Sequence, residues 1–385
     1  MDILAQIKNY TLAEYDWKTA LQTTEQDAEY HKEGNVWIHT MMVVESLLND
    51  DGYKALNQGE RKLLLLAAIL HDIAKPICTR IEDRKIISPN HAVKGEIEAR
   101  KLLYKHGFMK ELFGELNFVE REQVCAMVRY HGLPLLFMEK GEYVVFKASQ
   151  EIAPKYLCIL AKADINGRIS NSNTDNLEIV ELFRDYCIEN DCFENAKAFP
   201  SASGRYAYFK NDSADWSYVP YEKDKFPVYM MSGIPAAGKD TYISEHLQGL
   251  PVISLDDIRL EMGISPSKNQ GTVVQEAKLR AKKLLASKES FVWNATNTTE
   301  RLRTQIIDLF AGYNAMVNII YVEAPALQLL KRNAKRTKPV PEAVIHKLID
   351  QLEVPKVWEG HSVTYPQSSV ASLFCSLRSC DFRSW

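Results

Sequence analysis

Apolar residues along the first half of the chain recur at intervals of three and four. The stretches "VWIHTMMVVESLL", "RKLLLLAAILHDIAK", "GEIEARKLLYKHG", "REQVCAMVRYH" and "YLCILAKADI" each put a hydrophobic stripe on one side of a helix. The spacing predicts an all-α unit over residues 1–198. Between 199 and 225 the period breaks in a stretch rich in Pro, Ser, Gly, Asp and Tyr, which reads as a linker or small docking segment. Beyond it, short β-like runs ("VYMMSG", "VISLD", "FVWNAT", "VNIIYVEA") alternate with helical ones. That alternation predicts an α/β unit with a parallel sheet over residues 226–365. Residues 366–385 carry many serines and no period, and read as a tail.

At 385 residues the chain has room for two or three cores, and 46% hydrophobic with 25% charged residues is ordinary for a soluble globular protein. The longest wholly apolar run, Leu63 to Leu70, falls far short of the roughly 20 residues that span a bilayer, so no membrane partner is expected. The mixed, acidic N-terminal stretch lacks a signal pattern, and the seven cysteines show no C-x-x-C spacing. Both features point to reduced thiols and a cytoplasmic location rather than a disulfide framework. Net charge is −3, divided as −7 over residues 1–200 and +4 over 201–385. A basic second half suits a phosphate-rich ligand, although an imbalance this small is usually a solvated face.

His39, the adjacent His71 and Asp72, His91, His131 and Asp164 all fall on helical stretches. A lone histidine on an apolar face is more often a satisfied core residue than a ligand. Asp72 is different, because it follows a fully apolar run and so sits at the buried end of a core helix. A carboxylate there costs several kcal/mol unless it is paired or bound to a cation. Imidazole and carboxylate are also the donors a divalent transition metal takes.

In the second half, "GIPAAGKDT" nearly spells the phosphate loop G-x-x-x-x-G-K-[ST], running from Gly233 through Gly238 and Lys239. It lies between an apolar strand and a helix, where backbone N–H groups and a helix N-terminus can face phosphate. Asp240 stands where a Mg²⁺-holding hydroxyl is expected. Thr241 cannot replace it directly, since one helical step turns the side chain by about 100°. A bare carboxylate repels a triphosphate, but with Mg²⁺ between them it becomes an oxygen ligand, directly or through water. "SLDDIR" sets Asp256 beyond a strand with Arg259 three residues on, suiting a base and a phosphate grip. Its bland reading is a helix cap and a surface ion pair. "LLKRNAKRTKPVP" puts Arg332 and Arg336 four apart, expected on one helix face as a lid over phosphoryl oxygens.

These segments carry two resemblances. "NVWIHTMMVVE", "AAILHDIAKPICT", "ISPNHAVKGEIEA", "VRYHGLP" and "LAKADINGR" resemble, in order and spacing, the HD-domain metal phosphohydrolases. The resemblance implies that His39, His71, Asp72 and Asp164 hold one divalent metal such as Mn²⁺, Ni²⁺, Co²⁺ or Zn²⁺, with Asp72 catalytic. It implies further that His91 and His131 complete a second site or contact the phosphate, and that Lys75 lies near the phosphate. The stretch from the loop through "SLDDIR" and "NATNTTERLR" to "LLKRNAKRTKPVP" resembles the phage-type polynucleotide 5′-kinases. That implies ATP and Mg²⁺ held by Gly233, Gly238, Lys239, Asp240 and Thr241. Asp256 would be the general base, Arg259 and Thr296 substrate contacts, and Arg332 and Arg336 the clamp. Against that family's pattern, Asp240 replaces Ser/Thr, Ala236 sits where glycine is common, and Asn294 where aspartate is common.

The order of the two halves resembles the bifunctional end-healing enzymes known as HD-Pnk. Such enzymes phosphorylate 5′-OH ends and remove 3′-phosphate, 2′-phosphate or 2′,3′-cyclic phosphate from RNA or DNA, ahead of a separate ligase. The residues leave two other readings open. One is a nucleoside or small-molecule kinase fused to a nucleotide phosphohydrolase; the other is a non-catalytic, ATP-gated binding module.

Overall fold

The computed structural model describes residues 2–12, 15–211, 215–223, 225–265 and 270–366, so the serine-rich tail lies outside the described residues except for residue 366. The N-terminal half opens with α1 (Ile3–Asn9) and α2 (Trp17–Gln22), then α3 (Val36–Asn49), α4 (Asp51–Ala55), α5 (Gln58–Leu70) and the one-turn α6 (Lys75–Cys78). A small hairpin, β1 (Arg80–Glu82) against β2 (Lys85–Ile87), interrupts the helices. Its turn residues Asp83 and Arg84 both have positive φ, the geometry of a two-residue hairpin turn, which the helical period did not signal. Helices α7 (His91–Lys105), α8 (Lys110–Phe113), α9 (Phe118–Tyr130), α10 (Leu133–Ser149), α11 (Pro154–Asn166) and α12 (Asn173–Glu189) complete the bundle, and α13 (Ala202–Lys210) follows.

Start signals fix the central helices. Asn57 at α5 and Asn117 at α9 each accept from the amide three residues on, while Glu60 and Glu120 reach back to the cap amide. Leu64 through Leu70 are then buried all round, so α5 forms the middle of the bundle, packed by α3 and α9.

The C-terminal half alternates β3 (Phe226–Ser232), α14 (Lys239–His246), β4 (Val252–Ser254), α15 (Leu255–Glu261), α16 (Gln270–Ala286), β5 (Val292–Asn294), α17 (Glu300–Ala311), β6 (Ala315–Tyr321), α18 (Ala326–Ala334), α19 (Glu342–Asp350) and β7 (Ser362–Thr364). The five strands are all parallel in the order β4-β5-β3-β6-β7. β3 and β6 each bury five of their seven side chains and leave none exposed, which is why both read as mostly apolar runs. The carboxyl ends of β3, β4 and β5 lie side by side, the edge where open α/β sheets bind ligands.

The halves are packed together. Tyr208 and Phe209 of α13 enter the N-terminal core, while Tyr206 on the same helix stacks on His361, ring centroids 4.4 Å apart. Trp358 from the segment before β7 also lies in the N-terminal core. Around it runs a buried ionic seam. Arg121 grips Glu323 through two hydrogen bonds of 2.8 and 2.9 Å, Tyr104 donates to the Ala324 carbonyl, and Arg100 pairs with Glu96 and Glu122 and donates to the Leu352 carbonyl. Lys356 reaches Glu96 at 2.8 Å and also pairs with Glu151. Burial favours a neutral Glu96, but Lys356 and Arg100 hold its carboxyl well below the usual range.

Removing Lys356 takes the cation from buried Glu151, which keeps the Tyr130 hydroxyl, and leaves Glu96 with Arg100 and the more distant Arg129. Lys356→Met is therefore expected to lose about 3–5 kcal/mol in urea unfolding. Lys105→Ala, which breaks a more exposed pair with Asp350, should lose less than about 1 kcal/mol.

Candidate active sites

In the N-terminal half, close packing of α3 and α11 creates the first centre. A Cβ at Gly167, just past α11, would stand 2.6–2.8 Å from Val43 of α3, so only glycine permits this approach. It brings His39 Nε2 within 3.0 Å of Asp164 Oδ1. His71 and His131 are the residues that close α5 and α9, with the same backbone angles (φ −55°, ψ −36°), and His91 opens α7. The sequence-predicted residues His39, His71, Asp72, His91, His131 and Asp164 thus come together from five helix ends and faces.

The hydrogen bonds decide which ring nitrogen is available. His71, His91 and His131 place Nδ1 2.8 Å from the carbonyls of Ala68, Ser88 and Val128. A carbonyl only accepts, so Nδ1 carries the hydrogen and Nε2 keeps its lone pair. Yet His91 Nε2 faces His131 Nε2 at 3.3 Å, and His71 Nε2 faces His39 Nε2 at 3.3 Å. Between them lies Asp72, 2% exposed, with Oδ2 3.2 Å from His71 Nε2 and 3.7 Å from His39 Nε2, and Oδ1 3.5 Å from His91 Nε2. Asp72 Oδ1 accepts no hydrogen bond, and Oδ2 is met by the Lys75 ammonium as an ion pair. Imidazole nitrogens facing one another and the Asp72 carboxylate are a donor set that suits divalent cations, in two groups that share Asp72.

Electrostatics agrees with this at Asp72 and His131, while at His39 burial is outweighed by the Asp164 and Glu33 carboxylates, which raise the pKa. Burial pushes the Asp72 pKa up, but Lys75, His71 and His91 outweigh it and hold the carboxyl well below its usual range. Burial, reinforced by His91 and His71, lowers His131 to about 3, so it is neutral as a ligand must be. Lys75 Nζ sits 2.7 Å from Asp72 Oδ2 and donates to Gln26 Oε1. Asp164 is shared between His39 and Arg168.

Sequence reasoning missed Glu33 and His31. Glu33 Oε1 lies 3.1 Å from His39 Nδ1 and 2.8 Å from His31 Nδ1. These side chains sit in the irregular turn before α3, where no periodicity marks them; the only signal was a carboxylate and a histidine just upstream of His39. Glu33 orients His39 as a carboxylate behind a metal-facing imidazole does.

In the C-terminal half, the loop after β3 turns against the end of β6. Gly233 has φ +148°, and a Cβ there would stand 2.3 Å from the Val322 carbonyl oxygen; its amide donates to the Thr296 carbonyl. Ala236 adopts φ +68°, the left-handed region that glycine occupies more easily. Gly238 caps α14 without a side-chain hydrogen bond, leaving the first amides of the helix for a ligand. Lys239 Nζ donates to the Gly233 and Ile234 carbonyls. Desolvation lowers its pKa to about 8, against the opposing charges of Asp240 and Asp256. Thr241 is exposed in the first turn of α14.

Ser254, not either aspartate, caps α15 by accepting from Asp257 N. Asp256 is therefore free of the capping role; its carboxylate is 76% exposed and pairs with Arg259. Arg332 of α18 donates to the Ala237 carbonyl of the loop. One expectation fails. Arg332 and Arg336 do not share a helix face, because α18 ends at Ala334 and Arg336 lies in the bend after it. Buried Asn333 bonds both the Val340 amide and carbonyl, folding the chain back, and Pro339 and Pro341 follow. Arg336 still lies near enough to Lys239 to depress its pKa.

Two family models match the chain, one described as HD domain over residues 36–165 and one described as AAA domain over residues 228–355. The N-terminal helical half is an HD domain and the C-terminal half an α/β P-loop domain of kinase-like fold. Together they support a phosphohydrolase joined to a kinase. Among the described residues no helix is long and apolar enough to cross a membrane.

Glu33→Gln is expected to keep the fold but weaken divalent-metal binding by ~10–100-fold, read by titration calorimetry with Mn²⁺ or Ni²⁺. An unchanged affinity would remove Glu33 from the centre.

Proposed function

We propose that the chain heals nucleic-acid ends, using ATP to phosphorylate 5′-OH termini and a divalent metal to remove 3′-phosphate, 2′-phosphate or 2′,3′-cyclic phosphate. A separate ligase would consume the 5′-phosphate, 3′-OH products. The observation that carries the reading is the pair Asp256–Arg259 next to Lys239. A nucleoside offers the kinase only a hydroxyl, whereas the 5′ end of a polynucleotide offers a hydroxyl with a phosphate close by. A carboxylate with an arginine three residues on matches the second.

In this reading Asp256 accepts the proton of the 5′-OH as its oxygen attacks the γ-phosphorus, the bond from that phosphorus to the bridging oxygen breaks and ADP leaves. Arg259 fixes the neighbouring phosphate, and Thr296, whose carbonyl accepts from Gly233 N, is a second substrate contact. Lys239, the loop amides from Gly233 to Gly238 and the first turn of α14 with Asp240 and Thr241 hold the nucleotide and its Mg²⁺. Arg332 and Arg336 neutralise charge on the transferred group.

In the HD half, His39, His71, Asp72 and Asp164 would hold one cation, and Asp72, His91 and His131 a second. Bound divalent cations there would supply activation of water near neutral pH and neutralise phosphoryl charge. Glu33 and the three carbonyls behind the other rings keep every Nε2 pointed inward. Lys75 and Arg168 balance Asp72 and Asp164 at the edge of the site.

An oligonucleotide with a 5′-OH and a 3′-phosphate, incubated with ATP-Mg²⁺ and with Mn²⁺, Ni²⁺ or Co²⁺, should be converted at both ends. Asp256→Ala should lose the 5′ reaction by ~10²–10⁴-fold and keep the 3′ one. Asp72→Ala should show the reverse. Phosphorylation of free nucleosides in preference to oligonucleotides, unaffected by Arg259→Ala, would sink this reading in favour of a small-molecule kinase.

A further inference from the structure

Two departures from the usual phosphate-loop pattern touch each other. Asp240 lies in the first turn of α14, and Asn294 is the last residue of β5, beside Ser254 of β4 in the sheet register. Asn294 Nδ2 donates to Asp240 Oδ1 at 2.8 Å. Each residue alone is an oddity: a carboxylate where a hydroxyl is expected, and an amide where a carboxylate is common. In contact, they are one change.

We infer that Asp240 and Asn294 are a reciprocal exchange, which moves the single carboxylate of the nucleotide-metal position from the strand to the loop. This rests on reading the loop as a nucleotide site. A divalent cation next to a triphosphate takes oxygen donors, and a hydroxyl on the loop with a carboxylate on the strand supplies one neutral oxygen and one charged one. Asp240 with Asn294 supplies the same pair with the positions swapped. The amide does two things in this arrangement. Its Nδ2 orients Asp240, and its own Oδ1 remains a neutral acceptor. A carboxylate at position 294 would instead face Asp240 at hydrogen-bond distance, where two like charges destabilise each other. A hydroxyl at position 240 with Asn294 retained would leave no charge for the cation. Neither residue can change alone without loss.

A second consequence concerns the nucleotide. The loop carboxylate stands where phosphate must approach, so the site repels a bare triphosphate and accepts one whose charge a cation already offsets. Asp240 makes the site selective for the metal complex, and Asn294 is the positioning residue that aims it.

The test is equilibrium binding of a fluorescent ATP analogue to the full chain, with Mg²⁺ and with chelator. The variants are Asp240→Ser, Asn294→Asp, the double variant, and Lys239→Ala. Wild type should bind the Mg²⁺ complex and bind the chelated form ~10–100-fold more weakly, matching the loss typical for a disrupted metal shell. Asp240→Ser and Asn294→Asp should each weaken binding of the Mg²⁺ complex. The double variant should recover most of that loss, so the two effects fail to add. Double-variant binding equal to the product of the two single losses overturns the exchange. If wild type binds no nucleotide, or Lys239→Ala changes nothing, the loop reading falls and the exchange with it. Unchanged thermal midpoints across the set exclude misfolding as the cause.

Discussion

The carboxylate of Asp72 sits almost wholly out of water at the end of a helix whose preceding seven residues are all buried. An isolated charge in that position costs several kcal/mol. The surroundings answer the cost at every step. Lys75 stands one helical turn on, and three imidazoles spend their Nδ1 hydrogens on backbone carbonyls so that Nε2 points at the carboxylate or its neighbours. His39 is held by Glu33 and Asp164. The two Asp72 oxygens face different histidine pairs, and this ties the ends of α5, α7 and α9 and a face of α3 to one point. Helix lengths and caps in this half are consistent with that requirement: α5 and α9 both close on a histidine in the same conformation.

The helices that supply the second histidine pair also form the docking face for the other half. Arg100 and Tyr104 lie on α7, and Arg121 and Glu122 on α9, all buried or part-buried against the segments around Glu323 and Leu352. An ionic seam of this kind contributes less to raw stability than a hydrophobic one of equal area. It does specify orientation, since bidentate Arg121–Glu323 and the Lys356 contacts tolerate little rotation. Trp358 and Phe209 supply the apolar part of the join. The segment read as a linker or docking stretch carries α13, whose tyrosines contact both cores.

Much of this was legible in the residues. The helical and strand periods placed both halves, because parallel strands and core helices announce themselves by burial on both faces or on one stripe. Asp72 stood out because a carboxylate after an apolar run has few structural excuses, and the resemblance to the HD-domain phosphohydrolases joined the five other residues to it. What escaped is what depends on irregular backbone. Glu33 and His31 act from a turn, the β1–β2 hairpin is only three residues per strand, and Arg336 leaves its helix because a buried asparagine folds the chain back. The Asp240–Asn294 contact joins residues 54 apart, and only the parallel pairing of β5 beside β3 brings them together.

The two centres meet phosphate with opposite electrostatics. At the HD centre the inward-facing groups are lone pairs and carboxylates, and the nearby cations, Lys75 and Arg168, are already paired with Asp72 and Asp164. An anion has nothing to approach there unless divalent cations fill the space between the ligands. The phosphate loop is built the other way, with Lys239 and Arg332 bonded to loop carbonyls beside the first amides of α14 and with Arg336 close by. The difference follows from the chemistry each fold supports. Hydrolysis needs water made nucleophilic near neutral pH, which is what a strongly coordinated cation does. Phosphoryl transfer by a kinase-like site needs positive charge around the moving group, which basic side chains and a nucleotide-bound cation supply together.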